Sequence, residues 1–198
     1  SSDLMQDVKL QHDAQGLFDL VVKNGQIVGV DGLDSLVGSF NFKTSYRDNF
    51  PASAGDDVQV FINNILQITG IVIDTPYSGS MEGSSVNIMG YDRTKNLLDS
   101  SLPQAAKQIE GKTTLKKICE TIISGLNMDI KVIDETGGIE GFTEKDSQSG
   151  ASCSNAFDYL ESFARKRQVY LITNPDGNLV LFRSGNKKAV TPLTLKKK

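Results

Sequence analysis

DVQVFINNILQITGIVIDTPYSGSMEGSSVNIMGYDRTKNLLDSS, residues 57–101, decides the fold. Val58, Val60 and Ile62 alternate with Gln59, Phe61 and Asn63, the period of a strand with one buried face. Asn63-Asn64 then separates this run from a second, Ile65 to Ile73. Asparagine accepts positive φ more readily than most residues, so the pair suits a two-residue hairpin turn. Gly70 lies inside the second run, where glycine predicts a bulge or a bend. Thr75 to Ser85 is rich in Pro, Gly and Ser and reads as a mobile connection. A third strand, Val86 to Met89, leads into Gly90-Tyr91-Asp92-Arg93, where Asp92 is placed to cap one helical turn carrying Leu97 and Leu98. The expectation is a coiled antiparallel sheet closed by a small helix, a small β-barrel.

Toward the N-terminus the same pattern continues. Leu17 to Val22 reads as a strand, and Asn24-Gly25 is a strong hairpin signal before Gln26 to Val30. His12 is expected in a polar turn and Asp31 to Asp34 in another. Leu36 to Thr44 alternates, with Phe40 and Phe42 on one face; Tyr46 to Asp56 reads as a loop. Six or seven short strands in the first hundred residues favour a barrel over a flat sheet.

Toward the C-terminus the period changes. Leu115, Ile118, Cys119, Ile122, Ile123 and Leu126 form one helical stripe, opened by a Thr113 or Thr114 cap. Ile130 to Ile133 reads as a strand and Gly137 to Ser152 as a loop or lid. Ser154 or Asn155 caps a second helix with Ala156, Phe157, Leu160, Phe163 and Ala164 inward, and Arg165, Lys166 and Arg167 complement its dipole. Val169 to Thr173 and Leu179 to Phe182 flank the turn Asn174 to Asn178, in which Pro175 presets φ, Asp176 bonds local backbone and Gly177 takes positive φ. The expected organisation is a barrel over residues 1–103, a compact α+β module over 104–185, and a basic tail or the start of a further segment over 186–198.

The 198 residues carry a net charge of -3, with 38% apolar and 23% charged residues. That balance gives no general attraction to nucleic acid or to an anionic membrane surface. No apolar run reaches the ~20 residues of a membrane-spanning helix, and no leader pattern opens the sequence. Cys119 and Cys153 are too few for a disulfide framework and read as two reduced thiols. A catalytic relay would have to use His12, the one histidine. The cysteines lack a zinc spacing, residues 140–146 lack a calcium-loop pattern, and Gly137 to Gly141 lacks the lysine of a phosphate loop. The reading is therefore a non-enzyme with no cofactor and no metal. Arg93 with Lys95, and Arg165 to Arg167, form small basic patches with little aromatic interleaving, so nucleic-acid binding is not expected. Phe61 faces away from Val60 and Ile62, toward a covering element or a neighbouring subunit.

Several of these stretches together resemble the baseplate hub proteins of contractile-tailed, Mu-like bacteriophages. They are Leu36 to Phe42, Gly55 to Val60, Thr69 to Val72, Gly90 to Thr94 with Leu97 to Ser100, Thr114-Leu115, Ala156 to Leu160 and Asn174 to Leu181. The resemblance implies a structural part of a trimeric ring that joins the tail tube to the central spike, a scaffold shared with type VI secretion spikes. It implies as partners other copies of the chain, the tube and spike proteins and the baseplate wedge, in a virion tail assembled in the host cytoplasm. Phe61, Asn63, Asn64 and Arg93 are the candidate subunit-interface residues. Hub proteins of this kind continue into a second barrel near where Lys198 stands. Two rival readings are a cell-wall or carbohydrate-binding module, for which Phe142 and Tyr159 would be the exposed aromatics, and a lytic tail enzyme using Glu140 and Asp146.

Overall fold

The computed structural model describes residues 8–12, 20–22, 26–31, 37–45, 52–62, 65–80, 83–103, 112–143 and 155–183. They form two sheets and three helices, mixed α+β and mostly strand. In the first sheet the strands are β1 (Val8–His12), β2 (Leu20–Val22), β3 (Gln26–Asp31), β4 (Ser39–Ser45), β5 (Asp57–Ile62), β6 (Ile65–Asp74), β7 (Tyr77–Ser80) and β8 (Gly83–Asp92). Their order is β2-β1-β5-β6-β8-β4-β3, with β7 also paired to β8. Every ladder is antiparallel. Among the described residues no ladder joins β2 to β3, so the path has two ends.

The alternation of β5 puts Val58 and Val60 inside, and β4 does the same with Phe40 and Phe42, whose rings stack 5.6 Å apart. With Ile68, Val72, Val86 and Ile88 they make the first core. Ile62 pairs with Ile65, which leaves two residues for the hairpin connection, as the asparagine pair predicts; Asn63 and Asn64 themselves lie outside the described residues.

Several expectations are corrected. Thr75 to Ser85 is not simply a connection. Residues 77–80 and 83–85 are strand, and the carbonyl of Pro76 accepts a hydrogen bond from the Asn87 amide at 3.0 Å, so β6 and β7 are one strand interrupted at Thr75-Pro76. The Tyr77 and Ser78 side chains are exposed, so this edge needs ladder bonds but no apolar pattern. β8 runs through Gly90 to Asp92 rather than ending at Met89. His12 closes β1 instead of sitting in a turn, and Asp31 ends β3. The register shifts fall at Gln67 and at Ile73, not at Gly70. Gly70 instead marks a close backbone approach: a Cβ there would lie 2.1 Å from the Tyr91 carbonyl oxygen.

The remaining elements are α1 (Lys95–Asp99), α2 (Leu115–Gly125), β9 (Val132–Asp134), α3 (Ala156–Lys166), β10 (Tyr170–Thr173) and β11 (Leu179–Phe182). The second sheet has the order β10-β11-β9, antiparallel within the hairpin and parallel between β11 and β9. The expected stripe of α2 is buried from Leu115 to Ile123, including Cys119, and packs in a second core with Leu160, Phe163, Leu179 and Leu181. Leu97 of α1 joins this core, and Val37 and Leu102 pack against it. Tyr159 also belongs to it, one turn before Phe163. Cys153 and the residues from 184 onward lie outside the described residues.

Both helix starts follow from the sequence. Thr114 Oγ1 accepts from the Lys117 amide, and Asn155 Oδ1 accepts from the Asp158 amide at 2.8 Å. Asn155→Ala removes an acceptor for one of the free amides of the first turn, so it is expected to cost about 1 kcal/mol in a urea titration. The β10–β11 turn has positive φ at Gly177, but the side chain that bonds local backbone is Asn174, whose Oδ1 accepts from the Asn178 amide.

Candidate functional site

The two cores meet at residues 92–94. Asp92 ends β8 with only 3% of its surface exposed. One carboxylate oxygen accepts from the Gly38 amide; the other accepts from the Thr94 amide, 2.9 Å away, and from the Thr94 hydroxyl. The Asp92 amide in turn donates to the Gly38 carbonyl at 2.9 Å. The expected helix cap is thus displaced: Thr94 holds the N-cap position of α1, without a side-chain cap bond, and Asp92 braces the turn before it. Thr94 Oγ1 also lies 2.8 Å from Thr173 Oγ1 at the end of β10. The β10–β11 turn sits on the first sheet, since a Cβ at Gly177 would lie 3.1 Å from the Thr69 carbonyl oxygen.

Burial raises the Asp92 carboxyl above its ordinary value of 3.8, against the opposing pull of its hydrogen bonds. A carboxyl raised on folding binds more protons in the folded state between its two pKa values. Its contribution to stability is complete below the unfolded value and is lost as pH rises through the folded value. Asp92→Asn sets an amide N–H against one of the donors that now face an oxygen. The variant is expected to lose about 2 kcal/mol and to lack the wild-type decline in stability through that pH window. Urea midpoints across weakly acidic pH check both effects.

Arg93 follows, half-buried. Its guanidinium lies 3.4 Å from Asp57 at the start of β5 and 3.8 Å from Asp129 on the α2–β9 connection. These groups border an open cleft of about 330 Å³ at the seam between the two sheets' modules. Ile71, Leu126, Met128 and Ile130 give it an apolar side, and Asn96 and Asn127 add polar groups. Asn127 has φ +54, a left-handed residue just past the end of α2.

Of the candidate interface residues, the structure places Arg93 in this cleft. Phe61 is half-buried on the same outer face of β5 as Asp57, four residues and about 13 Å along the strand. Asn63 and Asn64 lie outside the described residues. Within the small basic patches, Lys95 pairs with Asp99, and Arg165 with Glu161 at 2.9 Å, so these two charges are matched locally. Phe142 and Tyr159, the aromatics a glycan groove would expose, are 0% and 1% exposed. Burial pushes the Cys119 thiol up, which keeps it protonated. Among the described residues no cluster of His, Cys, Asp and Glu is arranged to hold a metal, and no helix is long and apolar enough to cross a membrane.

Residues 94–183 match the family described as baseplate hub protein gp44-like, second domain. Over that segment the chain is similar to gp44-like baseplate hub proteins of phage tails. The matched segment opens at Thr94, immediately after the arginine of the seam. Among solved structures the chain is similar to the 43 kDa tail protein of prophage MuSo2 from Shewanella oneidensis, with TM-score 0.71 and 24% identity over 93% of this chain and 57% of that one. It is also similar to the tail protein from Neisseria meningitidis MC58, at 0.68 and 17% over 89% and 50%. A third is prophage tail protein gp18 from Listeria monocytogenes EGD-e, at 0.64 and 13% over 97% and 55%. At these identities the likeness is one of fold, and the chain spans about half the length of the tail proteins it matches. No curated protein matches it.

Proposed function

We propose that the chain is a non-enzymatic component of a phage tail baseplate hub, part of a ring that links the tail tube to the central spike. The observation that carries this reading is the hub-family match over residues 94–183. The first sheet is then the hub barrel, closed by approach of β2 and β3, and residues 104–185 are an α+β module docked at its side. The uninterrupted antiparallel path from β2 to β3 and the two register shifts in β6, which increase coiling, support closure. The full-length protein assembles as a trimer on the axis of a contractile, Mu-like tail. It meets the tube, spike and wedge proteins in the virion after assembly in the host cytoplasm. Phe61, Asn63, Asn64 and Arg93 contribute to contacts between subunits, and symmetry matching is work for such surfaces rather than for a reaction centre.

Light scattering and negative-stain imaging of the full-length gene product test the reading. A ring of three copies that binds the purified tube protein is the expected result. A strict monomer that joins neither tube nor spike would overturn it. The carbohydrate-binding alternative gains no support from the two buried aromatics.

A further inference from the structure

We propose that the seam cleft is a docking site for a protein segment that presents an arginine or lysine beside an aliphatic side chain. Among its described lining residues the cleft holds two carboxylates, Asp57 and Asp129, against one guanidinium, a net charge of −1. The C-terminal end of α2 also opens here through Leu126 and Asn127, and its last turn has no basic residue, whereas α3 carries Arg165 and Lys166 in its own. Backbone amides of Leu126, Asn127 and Met128 cap the carbonyls of Ile122, Ser124 and Ile123, and the α2 dipole adds a modest preference for a cation at this end. Asp129 is 98% exposed and only 3.8 Å from Arg93, a loose pair that an incoming cation recruits at little cost.

Ile71 and Met128 are half-buried at the cleft side, with Ile130 nearly closed off beneath. This is a place for an aliphatic group next to the acidic pair, and an apolar anchor with a complementary charge at its rim is how short segments are held at protein surfaces. An acidic segment is disfavoured by the same groups. The inference concerns the chemistry of the cleft and does not depend on the ring or on the tube and spike.

The test is an NMR titration of the isotopically labelled full chain with two capped tripeptides, Leu-Arg-Ile and Leu-Glu-Ile. The arginine peptide is expected to shift the amides of Asn127, Met128 and Asp129, with an apparent affinity about tenfold above that of the glutamate peptide. Raising the salt to 0.5 M should remove most of that difference. The double variant Asp57→Asn, Asp129→Asn should lower the response to the arginine peptide to that of the glutamate peptide while its remaining spectrum stays unchanged, since both carboxylates are exposed. No shift at the cleft, equal responses to the two peptides, or a response unaltered in the double variant would overturn the proposal. Failure here would leave the hub reading to its own assembly test.

Discussion

Gly70→Ala should prevent the first sheet from closing its central ladder, with a loss of about 3 kcal/mol or more. Gly70 sits where β6 is paired on both sides, with Val58 of β5 and with Asp92 of β8. A methyl group there would meet three backbone atoms: the Tyr91 carbonyl oxygen at 2.1 Å, its carbon at 2.8 Å and the Asp92 Cα at 2.9 Å. Backbone in a paired strand cannot rotate aside as a long side chain does. Relief therefore requires β8 to move off β6, which loosens the pairs Ile71–Tyr91 and Val72–Gly90 and pulls Asp92 from Gly38. Gly55→Ala is the control. It lies in the turn before β5 with φ +96 and nothing within 4 Å, so it carries only the backbone penalty, about 1–2 kcal/mol. Urea denaturation of both variants separates the causes. A Gly70→Ala protein as stable as the Gly55→Ala protein would show that the two strands do not approach as described.

The same residues explain how far the sequence could be read. Val58 and Val60, Phe40 and Phe42, and the α2 stripe announce themselves because burial imposes a period on the residues that carry it. The caps Thr114 and Asn155 are legible because donor and acceptor lie three residues apart. β7 was hidden because its stability lies in backbone bonds to β8, and the Tyr77 and Ser78 side chains face solvent. Gly90 concealed the end of β8. In the sequence it looks like a break, yet in the sheet its bare Cα makes room for the Phe40 ring, 2.2 Å from where a Cβ would stand. Phe142 was misplaced because its glycine-rich surroundings read as a surface loop. Its single bridge to Thr113, with backbone bonds of 2.9 and 2.6 Å, turns the ring inward. The site was the least legible part. Asp92 meets Gly38 across 54 positions, and Arg93 meets Asp57 across 36. No local pattern records such distances. In the sequence Arg93 reads as half of a small basic patch with Lys95, and nothing local marks Asp57 or Asp129 as its partners.

Phe163→Ala should cost the second module about 3–5 kcal/mol, the usual range for deleting a buried phenyl ring. Phe163 is fully buried in the inner face of α3 and is the centre of an aromatic set. Its ring meets Phe142 edge-on at 5.1 Å and 88°, and Tyr159 at 5.0 Å and 65°. Both geometries place a ring edge against a ring face, which adds to the area term. The Lys166 ammonium lies 5.2 Å from the Phe163 ring centre, and Arg167 stacks 4.6 Å over Phe142 while donating to the carbonyls of Glu140 and Gly141. Removing the ring thus leaves a cavity and also frees Phe142, the residue that ties the segment 137–143 to the start of α2. The midpoint of thermal unfolding should fall by about 10 °C, and the near-ultraviolet circular dichroism of Tyr159 should weaken even below the transition. Phe163→Leu separates volume from aromatic geometry: it refills most of the cavity and should recover about half of the loss. The same variant tests how the module is joined to the first sheet. Leu97 shares the Phe163 core but is carried by α1, directly after the Asp92–Thr94 brace. If the two modules unfold as one unit, hydrogen exchange in β8 will accelerate together with that in α3; if the brace holds the sheet by itself, only the α3 amides will respond.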